Sequence, residues 1–351
     1  MRVLLALGHY EWGGFKTVVV SLAKYMSRLG IDVHIAVLKV GDVGSKDEIY
    51  HKLKVLTPKE FIREAMKFDI VHIHTTYPYT REAIKAGLKN IVFTYHGYCP
   101  WHLTPGFKNK VIHLALKYAY RRLLPKIRKI TAISNFVKRQ LEEIYGISNV
   151  KVIYNGVDLE IFKPIKIQGK SGYPILFNAM AHEKLKGLDI ALKYFRNIKD
   201  FYPEAKLILG GTSIDAIKLI KRYCSKFRSS FGRDVLTLSY VPQSKLAYYY
   251  SLSDVYFLTS RWESFGLPIV ESFTCGTPVI AFKVDDARIE HIVNSKAGEL
   301  FNDNESLIQA LDKILRNYHE YSARAINYAR KLSWENIVKQ YLEVYNEVLS
   351  S

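Results

Sequence analysis

The stretch DVYFLTSRWESFGLPIVESFTCGTPVIAF, residues 254–282, reads as strand, loop, helix and strand in succession. Its first seven residues form a short apolar run rich in β-branched and aromatic side chains, which fits a strand buried on both faces. RWESFG is the loop at the carboxyl end of that strand. Pro268 suits the first turn of a helix, where its missing donor is not needed. Gly276 ends the helix, Pro278 prevents its continuation, and VIAF returns to the sheet. Strand, helix and strand on this scale make one unit of a parallel α/β sheet.

The pattern repeats outward from that stretch. In the second half PILFNAM, AKLILGG and VLTLSYV read as further strands, separated by helix-like GLDIALKYFRNI, SIDAIKLIKRYCSKF and QSKLAYYYSLS. In the first half VLLAL, DVHIAVL, DIVHIH and IVFTYH are strands, with TVVVSLAKYMSRLG and KEFIREAMKF as helices between them. At 351 residues the chain is too long for one typical core. The reading is therefore α/β, with two doubly wound parallel-sheet domains. The linker is expected near residues 163–172, where Gly, Lys and Pro accumulate. That places an N-terminal domain at 1–163, a C-terminal domain at 164–334 and a final helix at 335–351 that returns to the first domain.

A content of 48% hydrophobic and 24% charged residues is that of a soluble globular protein. No apolar run is long enough for a membrane-spanning helix. The N-terminal VLLAL run is followed by Glu11 and two glycines, so it is expected to be a buried strand and not a signal peptide. Three isolated cysteines, Cys99, Cys224 and Cys275, indicate neither a disulfide framework nor a metal site. A reducing cytoplasm is the expected compartment. The net charge of +18 is uneven: between Trp101 and Arg139 there are ten Lys or Arg and no Asp or Glu. An anionic partner is expected near that segment: nucleic acid, an acidic membrane surface or a phosphorylated substrate. Nucleic acid is disfavoured, because no zinc-finger spacing, RNA-binding aromatic signature or helix-turn-helix is present.

In open parallel sheets ligands bind at the carboxyl ends of strands. There, Gly266 is expected at a helix N-terminus, with the amides of Phe265, Gly266 and Leu267 facing a diphosphate. Glu271, one turn into the helix, is placed to accept hydrogen bonds from a vicinal diol such as a ribose. Glu263, in the loop, is free to meet a second polyol or a developing positive charge. Diol, diphosphate and second diol describe a nucleotide sugar. A glycosidase pair is the competing reading, but it needs carboxyls about 5 Å or about 6.5–9.5 Å apart. Eight helical residues span about 12 Å. Glu271 also fits a plain role in complementing the helix dipole. After the first strand, Gly13-Gly14 either makes a tight turn or lets backbone approach a phosphate or sugar. His96 ends the IVFTYH strand at the mouth of the crevice.

These residues together resemble glycosyltransferase family 4. SRWESFGLPIVESFTCGTPVIAF is similar to its donor-binding signature, with two glutamates bracketing seven residues. GGFKTVVVSLAKYMSRLGIDVHIAV resembles its glycine-rich N-terminal loop and helix, TYHG its histidine-containing strand end, and ITAISNFVKRQLEEIYGISNVKVIYNGVD the segment leading to its linker. KGLDIALKYF and the late LSWENIVKQYLEVYNEVL match as well.

The resemblance implies a GT-B fold, with two domains facing each other across a cleft, and metal-independent transfer of sugar from a nucleotide donor with retained configuration. It implies that Glu271 binds the donor ribose and Glu263 the donor sugar. Ser264, Phe265, Gly266 and Leu267 would meet sugar or phosphate, Gly13 and Gly14 would lie near the phosphate, and His96 would face the reacting sugar. Lys186, in Lys186-Gly187-Leu188-Asp189, would hold the diphosphate. The family's arginine is absent, since Met180 and Ala181 stand in its place, and Lys184 is expected to supply the charge. A nucleotide-sugar binding protein without strong catalysis is the alternative, and a sugar epimerase a more distant one.

The acceptor is expected at a membrane. In GFKNKVIHLALKYAYRRLLPKIRK, Val111, Ile112, Leu114, Ala115, Tyr118, Ala119 and Leu123 fall on one broad helical face among eight basic residues. Such a helix can lie on anionic lipid. The same apolar positions equally suit packing against the sheet. A lipid-linked sugar or glycolipid acceptor at the inner face of the cell membrane follows from the first reading.

Overall fold

The computed structural model describes residues 1–11, 13–41, 49–104, 106–168, 173–180, 183–226 and 230–350. Ala181 and residues 169–172 of the expected linker lie outside them. The chain forms two compact units, Met1–Gly156 with Ser333–Ser351, and Val157–Leu332.

The strands of unit 1 are β1 (Arg2–Tyr10), β2 (Asp32–Val40), β3 (Leu53–Val55), β4 (Ile70–His74), β5 (Ile91–Tyr95), β6 (Lys129–Ala132) and β7 (Val150–Val152). Its helices are α1 (Gly14–Arg28), α2 (Pro58–Ala65), α3 (Tyr77–Lys85), α4 (Phe107–Leu123) and α5 (Asn135–Tyr145). The sheet is parallel, in the order β3-β2-β1-β4-β5-β6-β7. The order reverses between β1 and β4, where Val3 pairs Ile70 and Ala6 pairs Ile73. That reversal opens a crevice at the carboxyl ends of the strands.

Unit 2 contains β8 (Ile175–Ala179), β9 (Lys206–Gly210), β10 (Val235–Leu238), β11 (Val255–Leu258), β12 (Val279–Phe282) and β13 (Gly298–Phe301). Its helices are α6 (Glu183–Lys186), α7 (Leu188–Phe201), α8 (Ile214–Lys226), α9 (Gln243–Leu252), α10 (Leu267–Thr274), α11 (Ala287–Ser295), α12 (Asn304–Arg316) and α13 (Tyr318–Lys331). Its parallel sheet has the order β10-β9-β8-β11-β12-β13, so the reversal falls between β8 and β11. The central strand β11 is buried throughout and β8 in all but Ala179, as near-continuous apolar runs require.

The last helix, α14 (Trp334–Leu349), belongs to unit 1. Ser333 caps it by accepting the Asn336 N–H, and Trp334, Ile337, Val338, Tyr341, Val344, Tyr345 and Val348 form its buried stripe. Tyr341 and Tyr345 thereby reach the polar face of β4 and β5. No helix among the described residues is long and apolar enough to cross a membrane.

Candidate functional site

In unit 2 the site grows from one glycine. Gly187 sits at φ +68° between α6 and α7, and a Cβ there would lie 2.2 Å from the Thr259 carbonyl oxygen. Only glycine lets this turn rest on the end of β11. The Thr259 hydroxyl lies 3.0 Å from the Lys186 carbonyl oxygen and 3.1 Å from that of Gly187, and it accepts from Asn178 Nδ2 at 2.9 Å. Arg261 closes the same turn. It grips Asp189 through Nη1 and Nη2 at 2.9 and 2.5 Å, and Nη1 also donates to the Lys184 carbonyl at 2.8 Å. The Arg261 hydrogen bond holds the Asp189 carboxyl below the usual carboxylate range.

Lys186 is delivered by this turn to Glu263, with Nζ 2.6 Å from Oε1. The sequence reading left Glu263 free in its loop; it is instead buried and paired. Burial alone would raise its carboxyl, but Lys186, the Ser260 hydroxyl and Arg288 hold it below its ordinary value. The Glu263 backbone N–H donates to Asp286 Oδ2 at 2.8 Å. Asp286 in turn receives Arg288 through Nε and Nη2, both at 2.7 Å, while Nη1 donates to the Phe282 carbonyl at 2.7 Å. Arg288 and Asp286 are sealed from solvent, with each polar group answered, which is the condition for a tolerable buried ion pair.

Glu271 lies in α10, whose N-cap is Gly266 at φ +91°. A Cβ on Gly266 would approach Ile269 Cδ1 to 2.8 Å, so glycine is required there too. Leu267 and Pro268 open the helix, and the Leu267 amide is one of the donors that a helix start leaves without an intrahelical partner. Phe265 turns its ring into the core, edge-on to His291 at 4.7 Å, so its side chain is not available to a ligand. Ser264 and Leu267 are half-buried. Glu271 is buried, and its Oε2 already accepts the Tyr250 hydroxyl at 2.9 Å. Burial raises its carboxyl to about 7, against the lowering influence of Tyr250 and Lys186. Near neutral pH, one ammonium thus faces one firm carboxylate and one carboxyl close to its own titration point.

Met180, which stands in the place of the absent arginine, and Lys184, expected to supply its charge, are placed differently. Met180 is fully buried in the core of unit 2, so its side chain meets no ligand. Lys184 is exposed, next to the turn that holds Lys186.

Unit 1 carries the remaining expected residues. Gly13 is the N-cap of α1 and Gly14 its first residue, both exposed. They border a pocket of about 270 Å³ at the ends of β1 and β4, lined also by Glu11, Lys16, His74 and Thr75. His96 follows β5 and is 5% exposed, deeper than the mouth of a crevice. Its Nε2 lies 3.0 Å from His74 Nδ1, and the Phe15 ring sits 4.7 Å from its own. Below them, His72 Nδ1 meets the Tyr345 hydroxyl at 2.7 Å and His72 Nε2 meets Thr94 Oγ1 at 2.6 Å. Burial pushes His72 and His96 down to about 3 and His74 well below its ordinary value. All three are neutral imidazoles at physiological pH. Thr75 adopts φ 42°, a costly conformation for a β-branched residue, and its hydroxyl donates to the Thr94 carbonyl while accepting the His96 N–H. This strain pins the backbone of His96.

Arg261, Tyr250, Asp286, Arg288 and His74 were not singled out by sequence, and Asp189 was named only as the last member of its motif. The alternation in VHIH, which puts His72 and His74 on one face of β4, is a signal that could have found the histidine pair. Among the described residues no group of three or more His, Cys, Asp or Glu is arranged to hold a metal ion.

Comparison with known proteins accords with the fold of the two units. The family described as Glycosyltransferase Family 4 matches residues 12–161, and that described as Glycosyl transferases group 1 matches residues 160–332. A phosphatidyl-myo-inositol mannosyltransferase of Mycobacterium leprae is 25% identical over 305 residues, covering 81% of this chain and 75% of that protein. Sucrose-phosphate synthase from Thermosynechococcus elongatus superposes with a TM-score of 0.81 at 18% identity, covering 99% of each chain. Anabaena HepE, solved with UDP-glucose, gives 0.77 at 18% identity over 99% of this chain and 100% of its own. With the two family matches side by side along almost the whole chain, the protein belongs to the family 4 type of glycosyltransferases and has their GT-B fold.

Proposed function

We propose that the chain transfers a sugar from a nucleoside-diphosphate donor to a lipid-linked sugar or glycolipid, with retention of the anomeric configuration and without a metal. The observation that carries the reading is the Lys186–Glu263 pair beside Glu271, at the reversal point of the unit 2 sheet. In this reading Lys186 exchanges part of its bond to Glu263 for the donor diphosphate, aided by Lys184 and the Gly266–Leu267 end of α10. Glu263, partly released, takes a donor-sugar hydroxyl and steadies the positive charge that grows on the sugar as the bond to the leaving phosphate breaks. Glu271 accepts the ribose diol through the carboxylate oxygen that Tyr250 leaves available. His96, held neutral, offers a hydrogen bond to the reacting sugar and not a charge, and Gly13-Gly14 admits phosphate or sugar close to backbone.

The name of the mycobacterial relative, a phosphatidyl-inositol mannosyltransferase, and the UDP-glucose bound by Anabaena HepE support a lipid acceptor and a nucleotide-sugar donor. The basic segment of α4 supports work at an anionic membrane, on the cytoplasmic side where nucleotide sugars are used. The test is a panel of nucleotide sugars presented with lipid extracts in the presence of a chelator, read by mass spectrometry. The expected result is one nucleoside diphosphate released per sugar transferred, with the product anomer, read by NMR, matching the donor. An inverted product would overturn retention, activity abolished by the chelator would overturn metal independence, and no donor bound or cleaved would overturn the reading as a whole.

A further inference from the structure

A helix on a protein surface normally turns its apolar stripe inward. In α4, seventeen residues long, Tyr120 alone is buried. Phe107, Val111, Leu114 and Tyr118 recur at helical spacing and are 83%, 51%, 52% and 64% exposed. The stripe faces away from the sheet, where an apolar patch on a soluble surface usually marks a binding site.

Phe107, Val111 and Leu114 of the stripe form one wall of a groove of about 750 Å³, whose other wall is Tyr98, Pro100 and Trp101 from the segment after β5. Beneath the groove Gln140 is paired with backbone: it accepts the Tyr98 N–H at 2.9 Å and donates to the Tyr98 carbonyl at 3.0 Å. The rim is cationic, with Lys110 Nζ 5.1 Å from the Trp101 ring centre and Lys117 Nζ 6.0 Å from that of Tyr98. From Trp101 to Arg139 the chain carries ten Lys or Arg and no acid.

We propose that this groove receives the hydrocarbon chain of an anionic lipid, whose headgroup is met by the lysines of its rim. The inference rests on the reading of the protein as a transferase with a lipid-borne acceptor, and it is narrower than adsorption of a basic helix to a membrane. A groove takes up single lipid molecules, whereas adsorption needs a bilayer. Charge complementarity decides for an anionic amphiphile over a neutral one.

The experiment titrates the whole chain by calorimetry with octyl, nonyl and decyl phosphate below their critical micelle concentrations. Inorganic phosphate and decyl phosphocholine serve as controls. Saturable one-to-one binding is expected, strengthening up to about fourfold for each added methylene that becomes buried. Inorganic phosphate should not bind measurably, and the choline headgroup should bind more weakly. In the exposed double variant Val111→Asp, Leu114→Asp, binding should fall at least tenfold while nucleotide-sugar binding stays unchanged. Affinity indifferent to chain length, binding unaffected by the double variant, or binding only to anionic vesicles would each overturn the groove. Nucleotide-sugar affinity is measured in the same samples: donor binding without lipid binding defeats the groove alone, and loss of donor binding in the unaltered chain defeats the underlying functional reading.

Discussion

At the reversal between β1 and β4, unit 1 buries His72, His74 and His96 as neutral groups, with His74 hydrogen-bonded to His96 and His72 to Thr94 and Tyr345. At the corresponding reversal between β8 and β11, unit 2 buries Glu263, Glu271 and Asp286 against Lys186 and Arg288. One strand order thus supports two electrostatic strategies. Keeping imidazoles neutral avoids burying charge but fixes each ring only through its neighbours' tautomers. Keeping carboxylates ionised requires a counter-ion for each, and Glu271, which shares Lys186 with Glu263, is the one pushed up to about 7.

The neutral imidazoles and the raised carboxyl of Glu271 respond oppositely to pH, and the imidazoles give the largest expected effect. The unfolded chain protonates its histidines below about 6.5 while the folded imidazoles resist, so the stability they contribute is complete above that value and is lost on acidification. Each of the three binds about one proton fewer in the folded than in the unfolded chain across the window, whose lower end is set by folded values near 3 for His72 and His96. Thermal melts from pH 7 to pH 5 should fall steeply, and His74→Gln should flatten the slope by about one proton; an unchanged slope would break the contrast between units.

Next in size, Glu263→Gln and His96→Ala should each lower turnover by about 10²–10³-fold with a far smaller change in donor affinity, because both act where charge develops. Equal losses in kcat and in donor binding would make them anchors only. Glu271→Ala should weaken donor binding in a folded protein by about 1.5–3 kcal/mol, read by calorimetry, because a charge-assisted contact is lost.

Glu271 sharpens the comparison further. With its folded value at about 7 and an ordinary value of 4.5, the folded chain keeps a proton that the unfolded chain has released, so its share of stability is present below about 4.5 and is lost as pH climbs through 7. Donor affinity should move the other way, strengthening as the carboxyl ionises. Tyr250→Phe, which removes a donor favouring the ionised form, should shift that midpoint upward; a downward shift would refute the assignment. The smallest effect is expected at exposed Lys184: Lys184→Ala should weaken the nucleoside diphosphate and the intact donor alike, by under about 1 kcal/mol. Loss confined to the intact donor would place the phosphate elsewhere.

Much of the fold was legible because central strands of a parallel sheet are apolar throughout. Strands such as VYFL and ILFNA announce themselves, whereas β3, β6, β7 and β13 are three or four residues long and carry Lys, Gly or Glu, too little signal for a period to show. Within the site, the loop, Pro268 and the two glutamates were readable because a helix start has local rules. The crossings between units, at Gly156–Val157 and Leu332–Ser333, carry only an Asn-Gly turn signal and a helix N-cap, marks that occur at many turns and do not single out a boundary.

By itself, then, the sequence determined the alternation of strands and helices, the position of Gly266 before a helix, and the presence of an amphipathic stripe in residues 107–123. These follow from backbone sterics and side-chain periods that act over a few residues. Only the tertiary structure decided that Lys186 pairs with Glu263 across 77 positions, that Arg261 locks Asp189, that Met180 is core, and that the stripe of α4 faces outward. A helical period reports that one face is apolar, but not which way it points, and a buried charge finds its partner through the sheet's crossover connections, which bring distant loops to the same strand ends.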